Sequence, residues 1–141
     1  MEKKIQMKIR TEQRIAGDEP ETMELQTAGT LTQRDDCTEL TYEETQMTGL
    51  VGVQTSFFLY GKDRLVLQRR GPELNSRMDF RLGQRDDSLY DVGVGALLLS
   101  VTATRMCIEP EQGFFELEYE VEVEHSVKGT NLCRVEFCDA E

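Results

Sequence analysis

The sequence contains no tryptophan, a single histidine and only three prolines among its 141 residues. One histidine cannot supply a multi-histidine metal site, and no two of the four cysteines have C-x-x-C spacing. Cys133 and Cys138 are an odd number of positions apart, so on one regular strand their side chains point to opposite faces. We therefore expect no metal site and no cofactor, and we expect the cysteines to be reduced, partly buried thiols.

Long hydrophobic runs and positive charges are also scarce. Because the chain passes from Met1-Glu2-Lys3-Lys4 straight into an alternating pattern, we predict no signal peptide, no membrane span and a cytoplasmic location. Sixteen Lys and Arg residues against 27 Asp and Glu residues give a net charge of -11. This acidic chain repels phosphate backbones and anionic lipid surfaces, which argues against nucleic-acid and membrane partners. Solubility is the expected role of the charge.

The segment from Phe115 to His125 carries the strongest structural pattern. Apolar residues and glutamates alternate along it without interruption as far as Glu124. Successive side chains on a strand point to opposite faces, so the pattern predicts a strand with one buried face and one acidic, solvated face. Strands of this kind are typical of antiparallel sheets with a single buried side.

About ten such strands, joined by short turns, follow one another along the chain, and no long helix is indicated. An open sheet of this length leaves two bare edges, and closure removes them. We predict that residues 1–141 form a single all-β domain, an antiparallel up-and-down closed barrel of about eight to ten strands. Closure pairs the first strand with the last. The eighth strand is apolar on both faces at Ala96-Leu97-Leu98-Leu99, so we expect a terminal segment, a loop or a second subunit to cover its outer side, and a homodimer is a second hypothesis.

Several short segments, taken in order, resemble a known family. They are Tyr42-Glu43-Glu44-Thr45, Thr48-Gly49-Leu50, Asn75-Ser76-Arg77-Met78 and the glycine-flanked eighth strand. Together they are similar to the YwiB-like family of small uncharacterised bacterial proteins, over nearly the whole chain. The resemblance implies a calycin-like β-barrel, shaped like lipocalins and fatty-acid-binding proteins, but it implies no activity and no catalytic residues. The tryptophan of the lipocalin Gly-x-Trp signature is absent, so the shared shape does not extend to lipocalin ligand chemistry.

Candidate ligand-binding residues are the polar ones that strand alternation places with the apolar side: Tyr42, Glu44, Arg69, Ser76 and His125. Charges inside a barrel are costly unless they are compensated. Glu44 and Arg69 therefore lie at strand ends in water, pair with each other, or bind a ligand. An arginine in this setting suits a carboxylate or phosphate, and fatty-acid-binding barrels offer an analogy.

Three functions remain open at this point. The leading hypothesis is a non-enzymatic barrel that binds a small apolar or anionic molecule in its interior. The second is a structural or protein-interaction module that acts as a homodimer. The third is an enzyme acting on a small anionic metabolite, with Arg69 as anchor and Tyr42, Glu44 or His125 transferring protons. Because no nucleophile elbow or phosphate loop is present, we assign no catalytic residue.

Overall fold

The computed structural model describes residues 2–15, 19–44, 52–72, 74–91, 95–125 and 127–140. These ranges contain ten strands and one turn of 3-10 helix: β1 (Glu2–Ile15), β2 (Glu21–Gln33), β3 (Thr38–Glu43), β4 (Gln54–Tyr60), β5 (Arg64–Arg70), β6 (Asn75–Arg81), β7 (Arg85–Asp91), β8 (Ala96–Glu109), the 3-10 turn (Pro110–Gln112), β9 (Phe114–Val123) and β10 (Val127–Asp139). Within them, no helix is long and apolar enough to cross a membrane.

The strands form a closed antiparallel barrel in which every strand pairs with its neighbours in sequence. Closure comes from β1, which pairs with β2 on one side and with β10 on the other. Ile9, for example, lies opposite Leu25 of β2 and Val135 of β10. The predicted all-β, up-and-down closed barrel is confirmed, including the pairing of the first strand with the last.

Strand β9 shows how the alternating sequence produces the wall of the barrel. Phe115 and Leu117 are buried in the core, while Glu116 between them points outward. The Glu116 carboxylate accepts a hydrogen bond from the guanidinium of Arg134 at 3.0 Å and another from that of Arg105 on the other neighbouring strand. Such exposed pairs contribute about 0–1 kcal/mol each, so they relieve repulsion along the acidic face more than they stabilise the fold.

The interior is filled unevenly along the barrel axis. Toward the end where β1 begins, large side chains occupy the interior, among them Ile5, Met7, Leu40 and Leu59, each at most 2 % exposed. Toward the other end, where β1 ends and β2 begins, the interior contains a cavity.

The sequence also predicts a polar turn from Gln84 to Asp87. This prediction is wrong, because the chain turns at 81–84 and β7 already begins at Arg85.

The sequence also predicts a loop at 16–20, a turn at Thr48-Gly49 that leads into a strand at Val51, and a strand that ends at Gly93. Residues 16–18, 48, 49, 51 and 93 lie outside the described part of the chain. The two-sided apolar strand is only partly covered. Leu98 lies opposite Leu89 of β7, and Leu89 is itself 64 % exposed.

Candidate ligand-binding cavity

A row of polar residues crosses four neighbouring strands inside the barrel. Tyr42 of β3 lies opposite Thr55 of β4, Thr55 lies opposite Arg69 of β5, and Arg69 lies opposite Ser76 of β6. Directly opposed residues share a face of the sheet, with their Cβ atoms about 5 Å apart. The closed register therefore brings together side chains that are far apart in sequence.

Glu44 joins this row from the end of β3. Its backbone N–H donates to the carbonyl of Val53 at 2.8 Å, which continues the pairing of β3 with the chain before β4. Its carboxylate is buried, and Oε1 accepts hydrogen bonds from the hydroxyls of Tyr42 and Thr55, both at 2.8 Å. The second oxygen, Oε2, is buried without a hydrogen-bond partner among the described residues.

Arg69 brings a positive charge to the same place. Its side chain lines the cavity, and its Nε is buried with no hydrogen-bond acceptor in the described part of the chain. Glu44 and Arg69 form no ion pair with each other or with any other described residue. The internal ion pair that the sequence left open is therefore not formed, although both charged groups lie in the interior.

The cavity itself has a volume of about 270 Å³. Tyr42, Glu44 and Arg69 lie on one wall, and Cys133 and Asn131 of β10 lie on the other. The remaining wall is largely apolar, with Ile9, Leu25, Phe57, Leu65, Leu67 and Leu117 among its members, and Glu12 and Gln13 of β1 also line it. A polar cluster within an otherwise apolar concavity is the usual form of a small-molecule site.

Burial keeps two of the lining groups in their neutral forms. It raises the pKa of the Tyr42 phenol well above its usual value, and the neighbouring Glu44 carboxylate raises that pKa further. Burial also raises the pKa of the Cys133 thiol to about 12, although the charge of Arg69 opposes the shift. Tyr42 is therefore a hydrogen-bond donor rather than a base, and Cys133 is a thiol rather than a thiolate.

The five predicted site residues separate into three groups. Tyr42, Glu44 and Arg69 meet at the cavity. Ser76 lies beside Arg69 with its Oγ buried and unpartnered, but it lines a shallow groove that Arg69 also borders, not the cavity. His125 is exposed and does not line the cavity. Its Nδ1 lies 3.3 Å from Nη2 of Arg85, and Nη1 of the same arginine contacts the outward-facing Glu122.

Thr55, Cys133 and Asn131 were not predicted as site residues. Thr55 lies two and four positions before Phe57 and Leu59, so the period of the strand predicts that it points inward with them. Asn131 likewise lies two and four positions before Cys133 and Val135, and its Nδ2 donates to the Tyr119 hydroxyl at 3.2 Å. Polar residues with inward parity were therefore informative even where they carried no charge.

A family model described as "Domain of unknown function (DUF1934)" matches residues 7–134. The chain belongs to this family. Its strands and its closed barrel also match the crystal structure of the YwiB protein from Bacillus subtilis, with a TM-score of 0.79 and 16% sequence identity. The match covers 99% of this chain and 94% of the YwiB chain. At this identity the likeness establishes the fold, and the family description assigns no activity. No curated protein sequence matches the chain.

Proposed function

We propose that this protein binds a small molecule whose anionic group pairs with Arg69 and whose apolar body fills the cavity. The observation that carries the proposal is the Arg69 guanidinium, which lines an apolar cavity and has no ion-pair partner among the described residues. Arg69 is half-buried, with its Nε fully buried, so its unpaired charge costs less than the several kcal/mol of a fully buried one, and a ligand anion would remove much of that cost. The planar guanidinium is also well suited to hold a carboxylate or phosphate in one orientation.

The size of the cavity limits the ligand. A volume of about 270 Å³ equals that of about nine water molecules in the liquid, which corresponds to a ligand of about ten non-hydrogen atoms. Phe57 packs against Tyr42 on one side, with ring centroids 6.2 Å apart, and against Phe115 on the other. These rings and the surrounding leucines favour an aliphatic chain or a single aromatic ring as the apolar body.

Binding is favoured over catalysis by the protonation of the lining groups. A proton-transfer role requires a group that titrates near the working pH, whereas burial holds Tyr42 in its protonated form. His125, the second candidate for proton transfer, contacts Arg85 outside the cavity. The enzyme hypothesis thus has an anchor, Arg69, but its candidate Tyr42 is held protonated and its candidate His125 lies away from the cavity.

The test compares molecules with the same body and different head groups. Octanoate, octan-1-ol and octylammonium form one set, and 3-phenylpropanoate, 3-phenylpropan-1-ol and 3-phenylpropylammonium form another. Each is titrated into ¹⁵N-labelled protein, and amide shifts are followed by NMR. We expect the carboxylates to bind tightest and to move the amides of Tyr42, Thr55 and Arg69. Binding of no carboxylate, or equal binding of all three head groups, would contradict the proposal.

Two variants distinguish the cavity arginine from general electrostatics. Arg69→Met keeps the length of the side chain and removes its charge, so carboxylate affinity should fall about tenfold or more. Arg70→Met removes the next arginine, which is exposed on the same strand, and should leave affinity within about twofold.

A homodimer remains a second proposal, favoured by the exposure of Leu89 and Leu97 on β7 and β8. A cytoplasmic location also remains a prediction. Sedimentation velocity over a hundredfold range of concentration tests the dimer, and a constant monomer mass at every concentration would contradict it.

A further inference from the structure

The second carboxylate oxygen of Glu44 is a hydrogen-bond acceptor that the barrel does not use. Glu44 is only 6 % exposed and lines the cavity. Oε1 is fully engaged, since it accepts from both Tyr42 and Thr55, whereas Oε2 is buried with no donor in the described part of the chain. Buried polar groups are almost always hydrogen-bonded, so an orphan acceptor on a residue that lines a cavity points to a donor on a ligand.

The charges of the cavity support the same conclusion. The cavity is lined by one guanidinium, Arg69, and by two carboxylates, Glu12 and Glu44. Glu12 pairs with Arg14, whereas Glu44 and Arg69 pair neither with each other nor with another described charge. A simple monoanion would satisfy Arg69 but leave Oε2 of Glu44 without a donor. A ligand that carries both an anion and an ammonium group satisfies both side chains and brings no net charge into the barrel.

The register of the strands sets the distance between the two charges on such a ligand. Thr55, whose hydroxyl donates to Glu44, lies directly opposite Arg69 on the neighbouring strand. The two binding groups therefore come from neighbouring parts of the sheet, where strand backbones are about 4.8 Å apart. A ligand whose two charges lie on the same or adjacent carbon atoms suits this arrangement better than one with widely separated charges.

We propose that the ligand is a small zwitterion of the α-amino acid class with an apolar side chain, its carboxylate on Arg69 and its ammonium group on Oε2 of Glu44. This inference rests on the proposed function, because it specifies the ligand of the same cavity. An ammonium group is favoured over a hydroxyl because a hydrogen bond between two charged groups is about twice as strong as a neutral one.

The test adds an amino group to the two carboxylates used above. 2-Aminooctanoate is compared with octanoate, and phenylalanine with 3-phenylpropanoate, with both enantiomers of each amino acid measured by isothermal titration calorimetry. In the wild-type protein we expect the preferred enantiomer to bind about tenfold tighter, or more, than the plain acid. 2-Hydroxyoctanoate, which donates a hydrogen bond without a positive charge, should fall between them.

Glu44→Gln tests the same contact from the protein side. The amide keeps one oxygen for Tyr42 and Thr55 and places a donor where Oε2 was, so the preference for the amino acid should disappear. Glu43→Gln, at the exposed neighbouring position, is the matched control and should keep the preference. The NMR spectrum of each variant reports whether it is folded, and the wild-type ligand series tests the inference even if Glu44→Gln does not fold.

The outcomes separate the two proposals. Tighter binding of the amino acids that is lost in Glu44→Gln and kept in Glu43→Gln supports the inference. Plain acids that bind as tightly as the amino acids overturn the inference and leave the proposed function in place, as does a preference that survives in folded Glu44→Gln. If neither the acids nor the amino acids bind, both proposals are wrong.

Discussion

Arg69 of β5 lies directly opposite Ser76 of β6, and the Nε of the first and the Oγ of the second are both buried without a hydrogen-bond partner in the described ranges. Two orphan polar groups side by side cost stability, because each has lost its water without gaining a protein partner. This cost supports the proposal that the site exchanges some stability for binding.

The first prediction concerns the stability of the ligand-free protein. Arg69→Met removes a half-buried charge that has no ion-pair partner among the described residues, so we expect the free energy of unfolding to rise by about 1 kcal/mol. Thermal denaturation followed by circular dichroism should show a Tm higher by several degrees. Arg70→Met, on the outer face of the same strand, should change the free energy by less than about 0.5 kcal/mol. A clear loss of stability in Arg69→Met would mean that the guanidinium has a stabilising partner.

Tyr42→Phe should have the opposite effect. The variant keeps the ring against Phe57 but removes the hydroxyl that donates to Glu44 Oε1 at 2.8 Å. A hydrogen bond to a charged group contributes about 1.5–3 kcal/mol, so the urea midpoint should fall accordingly. Tyr60→Phe changes a tyrosine outside the cavity and serves as the control. An unchanged midpoint in Tyr42→Phe would show that the Tyr42–Glu44 bond does not hold the carboxylate.

The filled end of the barrel gives a packing prediction at Gly29. A Cβ at this position would lie 2.5 Å from Sδ of Met7 and 2.8 Å from the backbone carbonyl of Thr41. The methionine can move, but the backbone cannot do so cheaply, and overpacking of this kind costs about 1–3 kcal/mol. Gly29→Ala should therefore unfold at lower urea, whereas Gln26→Ala, at an exposed position of the same strand, should not. Equal stability of Gly29→Ala and the wild type would show that β2 and β3 are farther apart than described.

The raised pKa of Cys133 predicts lability in alkali. Burial raises the pKa from the ordinary 9.0 to about 12, so between these values the folded protein keeps a proton that the unfolded chain has lost. The stabilisation is complete below pH 9 and is lost as the pH rises toward 12, by up to about 1.4 kcal/mol per pH unit. Urea denaturation of the wild type and Cys133→Ala at several pH values between 8 and 11 isolates this contribution. Parallel pH dependences of the two proteins would show that the thiol titrates normally.

The sequence was sufficient to predict the fold and to identify Tyr42, Glu44 and Arg69 as cavity residues. Alternation along Phe115 to Val123 required a one-sided strand, and repetition of such strands required closure. The same parity placed Tyr42, Glu44 and Arg69 inside the barrel, because Leu40, Leu65 and Leu67 precede them at intervals of two. These predictions depend only on the period of a strand, which no tertiary contact changes.

The sequence does not predict which of the inward-facing residues contact one another. Whether Arg69 meets Glu44, Thr55 or Ser76 depends on the register of four strands, and no single strand encodes that register. His125 shows a second limit. Its backbone adopts φ 62°, in the left-handed region, so the parity of β9 no longer determines where its side chain points. Residues beyond the last ladder pair should not be assigned a face from alternation.

Co-crystals with 3-(4-bromophenyl)propanoate test the central claim most directly. Anomalous scattering locates the bromine, and the electron density shows the carboxylate. We predict a bromine peak inside the barrel near Phe57 and Leu117, with the carboxylate oxygens within hydrogen-bond distance of the Arg69 guanidinium. A bromine peak only on the outer surface, or a carboxylate that points away from Arg69 into solvent, would contradict the account.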